Sequence, residues 1–101
     1  MGEALRMELG SRIDMIEGHA RSARPCEIAG ELEAVRRIAA AHGLAAAVTV
    51  VHALDAALAR GERGPMLREG LSILRDAVRC GDNDPAAIAT YSAACSVRLG
   101  A

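Results

Sequence analysis

Ile28-Ala29-Gly30-Glu31-Leu32-Glu33-Ala34-Val35-Arg36-Arg37-Ile38-Ala39-Ala40-Ala41-His42-Gly43-Leu44 is the stretch that decides the fold. Ile28, Leu32, Val35 and Ala39 recur at the spacing that gathers them on one side of an α-helix, with Ile38 at the edge. Ala29, Glu33, Arg37 and Ala40 fall on the other side. Gly43 ends the helix, because a glycine adopts left-handed backbone cheaply and lets the chain reverse. His42, just before it, suits the place where an imidazole meets the last carbonyls and the negative end of the helix dipole. Upstream, Pro25 or Cys26 opens the same helix, since proline costs little in a first turn whose N–H groups have no helical partner.

Working outward, Leu44, Ala47, Val51, Leu54 and Leu58 draw the apolar stripe of the next helix. Val48, Val50 and Val51 are a local strand signal. Helical spacing continues through Leu58 among many alanines, so the reading stays helical. Arg60-Gly61-Glu62-Arg63-Gly64 is a short polar turn, and Pro65 begins a helix carrying Leu67, Leu71, Leu74 and Val78 on its buried face. Gly81-Asp82-Asn83-Asp84-Pro85 marks a further boundary, with Asp84 as the expected N-cap and Pro85 in the first turn. A last helix, 85–99, places Ile88, Tyr91, Cys95 and Leu99 together. Before the opening stretch, Leu5, Leu9, Ile13, Ile16 and Ala20 define a helix over about residues 3–22 despite Gly10 and Gly18.

These segments predict one all-α domain over residues 1–101, an antiparallel four-helix bundle with core hairpins in 3–80 and an additional C-terminal helix. A 101-residue chain favours a single core over two. The sequence contains one Tyr and no Phe or Trp, so the core must come from Leu, Ile, Val, Met and alanine, and the helices must approach closely. Twelve basic side chains, all arginine, oppose thirteen acidic ones for a formal charge of −1. That balance supplies no basic field for nucleic acid. Cys26, Cys80 and Cys95 form no CxxC pair, which fits reduced thiols in the cytoplasm. The apolar run from Leu44 to Val51 is too short to span a bilayer, so no membrane partner is expected.

No stretch carries strong catalytic chemistry. His19, His42 and His52 are scattered without zinc-ligand spacing, so no metal and no cofactor are expected. His52 and Asp55 can meet one turn apart, a contact more often structural than catalytic. The serines lack a nucleophile elbow and a base at a telling spacing, and no glycine-rich loop follows a strand. The expectation is a protein that is not an enzyme. Its best candidate surface is the outward side of the second helix, where Ala29 and Ala40 flank Glu33, Arg36 and Arg37 and leave low relief for a partner.

Residues Ile28 to Gly61 resemble the histidine phosphotransfer domain. That family carries a histidine on its second core helix, a lysine three residues later and a glycine ten residues after the histidine; here Glu33, Arg36 and Gly43 stand in those positions. His52-Ala53-Leu54-Asp55 looks like the HxL-acidic pattern of the chemotaxis branch. Arg37 occupies a place where the family prefers glycine. The resemblance implies a degenerate module that keeps the outline and has lost the phosphoacceptor, and so a signalling adaptor binding a response-regulator receiver domain or a histidine-kinase module. Two other expectations stand beside it: a phosphorelay intermediate using His19, His42 or His52, and a structural homodimer or assembly module.

Overall fold

A computed structural model describes residues 2–20, 22–61, 64–80 and 85–99, apart from the side chains of Cys80 and Pro85. Five helices follow in order: α1 (Glu3–His19), α2 (Pro25–Ala41), α3 (Ala45–Ala59), α4 (Pro65–Cys80) and α5 (Pro85–Leu99). There is no strand among the described residues. The valine-rich run of α3 is helical, and Thr49 there donates its hydroxyl hydrogen bond back to the Ala45 carbonyl at 3.1 Å.

The α2–α3 reversal forms as the sequence implies. Gly43 has a φ of 73°. Its N–H bonds to the Ala40 carbonyl, the Leu44 N–H bonds to the Ala39 carbonyl at 2.8 Å, and Leu44 and Ala39 are both buried. This is a Schellman closure with its apolar contact. The α1 terminus differs from expectation. The helix stops at His19 rather than at residue 22: Arg24, ahead of Pro25, is extended with a ψ of 152°, so the chain leaves the helix before it, and the Ser22 N–H bonds three residues back to the His19 carbonyl in a tightened last turn. Of the two polar boundaries, 62–63 and 81–84, including the expected Asp84 cap, lie outside the described residues.

Helices α1 to α4 pack in a ring, each against its neighbours in sequence, with α1 closing on α4. Residue pairs fix their directions. The end of α1 (Glu17, Gly18) shares a groove with the start of α4 (Gly64, Arg68), and its beginning (Glu3, Arg6) shares one with the end of α4 (Val78, Arg79), so these two run antiparallel. Leu54 of α3 meets Gly70 of α4, as a hairpin requires.

Helix α5 lies against both α3 and α4. Arg98 near its end pairs with Glu69 near the start of α4 at 2.7 Å. At the same end, the Arg60 guanidinium donates to the Leu99 carbonyl at 2.6 Å, so the residue that caps α3 through its backbone N–H also satisfies a terminal carbonyl of α5. The C-terminal helix is thus a full contributor to the core, with Cys95 and Leu99 buried and Ile88 and Tyr91 packed at its margin.

That cover explains a breadth of burial that single stripes do not anticipate. On α4, Ile73 and Ala77 are buried beside Leu67, Leu71, Leu74 and Val78; on α3, Ala46, Val50 and Ala57 join the expected Val51, Leu54 and Leu58. Gly70 sits where α3, α4 and α5 converge, and a Cβ there would overlap Leu54 Cδ2 and lie 3.4 Å from Leu99 Cδ1. Glycine admits this close approach without displacing the Leu54 side chain.

Candidate functional site

The stripe Ala29, Glu33, Arg36 and Ala40 is rotated by one residue, about 100°, from the buried stripe Ile28, Leu32, Val35 and Ala39. That rotation turns it toward α3 rather than straight outward. Glu33 is midway along α2, and its carboxylate receives two hydrogen bonds from Arg36, Nε to Oε1 at 2.8 Å and Nη2 to Oε2 at 2.5 Å. Arg37 adds a longer contact, Nε to Oε2 at 3.4 Å. Spacings of three and four residues bring all three groups onto adjacent turns of one helix face.

The expectation that Glu33, Arg36 and Arg37 share an exposed face needs correction. Arg37 and Ala40 are exposed, but Ala29, Glu33 and Arg36 are half-buried; the Arg36 side chain retains only 31% of its exposure. The reason is the neighbouring helix, because Arg36 lies close enough to Asp55 of α3 for their charges to act on each other. The candidate site is therefore a seam between α2 and α3.

Its electrostatics are uneven. Hydrogen bonds from Arg36, then the contact with Arg37, outweigh partial desolvation and hold the Glu33 carboxyl down at about 2. The same pairing raises the Arg36 guanidinium. Across the seam, Asp55 is pushed up, chiefly by burial and secondarily by Glu33, while His52 and Arg36 oppose the shift. Its Oδ1 is buried without a hydrogen-bond partner. Asp55 completes the site, and the sequence signalled it only through the His52-Ala53-Leu54-Asp55 pattern. The seam can thus offer one charged, doubly bound carboxylate, guanidinium edges, and one part-buried acid with an unmet hydrogen-bond capacity.

The three histidines occupy different settings. His19 is half-buried, with Nε2 at 2.5 Å from Glu31 Oε1 across the α1–α2 boundary. His42 is exposed and ends α2 through its backbone N–H. His52 is exposed on α3 beside the seam. Cys26 is exposed in the first turn of α2, whereas Cys95 is buried and its thiol is pushed up by desolvation. Among the described residues, no three His, Cys, Asp or Glu side chains are grouped to hold a metal ion, and no helix is long and apolar enough to cross a membrane.

No family model, curated protein or solved structure matches the chain.

Proposed function

We propose that this chain is a signalling adaptor that resembles a histidine phosphotransfer domain and binds a receiver domain or histidine-kinase module through the α2–α3 seam, without transferring phosphate. The observation that carries the reading is Glu33, a half-exposed carboxylate midway along α2 and clamped by Arg36 and Arg37. It stands where the resemblance implies a phosphoacceptor histidine, on the second helix of a ring of four. A carboxylate with a pKa of about 2 is ionised throughout the physiological range, and so carries a fixed charge in place of an imidazole nucleophile. Ala29 and Ala40 keep the rim of the seam low, which lets a partner helix come close.

Direct affinity measurement against a panel of receiver domains and kinase modules, preceded by pull-down, tests this reading. Binding that is weakened by Arg37→Glu and by Ala40→Arg, at unchanged thermal stability, supports it. Binding indifferent to both substitutions rejects the seam. A second reading has one observation in its favour: His52 is exposed at the same seam and sits beside Asp55. Acid-labile labelling by phosphorylated receivers that is abolished in His52→Gln would establish phosphorelay chemistry and displace the adaptor.

A further inference from the structure

Helix α4 turns one polar face toward α1 and α5, and there it borders an open hollow of about 530 Å³. Arg68, Ser72 and Arg75 follow one another at spacings of four and three residues, so their side chains stand on successive turns of that face. Arg98 enters the same hollow from α5. Two carboxylates line it as well, and both are engaged: Glu17 of α1 accepts from Arg75 at 2.8 Å, and Glu69 accepts from Arg98 at 2.7 Å. Arg75 makes that bond, and another to Asp14, through Nη2 alone, while Arg98 uses only Nη1. A guanidinium carries more N–H donors than these bonds consume. Arg68 is exposed, and among the described residues its guanidinium has no ion pair and the Ser72 hydroxyl no hydrogen bond.

We propose that this hollow binds a phosphate group, taken as inorganic phosphate or as the phosphomonoester of a small molecule. Charge favours an anion, because three guanidiniums face two carboxylates here and Arg68 is the one left without a counter-ion. Hydrogen bonding favours it too, since the unused capacity of all three guanidiniums is donor capacity. The spread of those donors selects phosphate over carboxylate. A carboxylate presents a planar pair of oxygens, whereas a phosphate presents a tetrahedral set that can accept from Arg68 and Ser72 on α4 and from Arg98 on α5 together. Glu17 and Glu69 hold Arg75 and Arg98 in place, and their charge keeps the phosphate on the Arg68 side of the hollow. No residue of the α2–α3 seam lines this space, so the site and the adaptor reading stand or fall separately.

Amide NMR of the isotope-labelled chain, titrated with inorganic phosphate and with glycerol phosphate at fixed ionic strength and about pH 7.5, where the dianion predominates, reads the site directly. The amides of Arg68, Ser72 and Arg98 should shift together and saturate at about millimolar ligand or below, and acetate at the same concentration should leave them in place. Arg68→Gln should weaken binding at least about tenfold. That side chain is exposed and unpaired, so its replacement leaves the fold intact. Arg12→Gln, outside the hollow, and Arg37→Glu, at the seam, should leave binding unchanged. Vesicles containing phosphatidic acid and a phosphoserine peptide form parallel arms, and a response to either one without a response to the two small phosphates overturns the assignment to a small ligand. Shifts that do not saturate by about ten millimolar, or saturable shifts that survive Arg68→Gln, overturn the site itself.

Discussion

Helices α1 and α3 are of similar length and are held in different ways. Over 15 residues α3 buries Ala46, Ala47, Val50, Val51, Leu54, Ala57 and Leu58, whereas α1 over 17 residues buries only Leu9, Ile13 and Ile16. The larger share follows from position, because α3 is enclosed by α2, α4 and α5 while α1 touches α2 and α4. What α1 lacks in burial is partly supplied by charge: Arg75 of α4 reaches both Asp14 and Glu17 of α1, and His19 meets Glu31. Cohesion therefore resides in the α3–α4–α5 side, and α1 is the side that can loosen first.

The largest effect should come from the enclosed side. Leu54→Ala is expected to cost about 2–5 kcal/mol in denaturant unfolding, because Leu54 is fully buried at the meeting of three helices. A loss below about 0.5 kcal/mol, less than even the smallest core truncations, would overturn the central place given to α3. Gly70→Ala should be next, at about 1–3 kcal/mol, since the added methyl would collide with Leu54 and the packed surroundings leave little room to shift. Greater helix propensity in alanine works against that cost and makes a net gain the informative failure.

Arg75→Gln probes the looser side. Its ion pairs are partly exposed, so global stability should fall by no more than about 1 kcal/mol. Hydrogen exchange should nevertheless quicken in α1 more than in α3, and equal acceleration in both would erase the contrast. The smallest effect belongs to Glu33. Its folded pKa lies below its ordinary value of 4.5, so its contribution is fully present above about 4.5 and is lost as pH falls through about 2. Acid unfolding of Glu33→Gln should lack this component, and identical acid curves would show that the Arg36 clamp adds nothing to folding.

The order of elements was legible because each helix carries an apolar stripe of its own, and all but α1 end at glycine or begin at proline. Ile28, Leu32, Val35, Val51, Leu54, Leu58, Leu67, Leu71, Leu74 and Val78 are all buried, as their spacing implies. What the spacing did not carry was the second layer of burial. Ile73 and Ala77 stand three and seven residues after Gly70, on the side of α4 where Leu99 of α5 comes close, a relation between distant segments. Arg36 escaped for the same reason: its spacing within α2 reports that it neighbours Glu33, but its half-burial depends on Asp55 and the rest of α3. The end of α1 was misplaced because Ala20 continues the apolar rhythm, while the chain has to leave the helix early for Arg24 to be extended ahead of Pro25.

The absence of Phe and Trp has an optical consequence. Tyr91 is the one aromatic ring apart from the histidines, and it packs half-buried on α5 against the core. Tyrosine emission and near-ultraviolet dichroism from this protein therefore report on the seating of a single helix, while far-ultraviolet dichroism sums over all five. If the tyrosine signal moves at a lower denaturant concentration than the helical one, α5 has left its place before the ring of four opens. Two inexpensive spectra on the unmodified chain thus resolve the order of events without any introduced label.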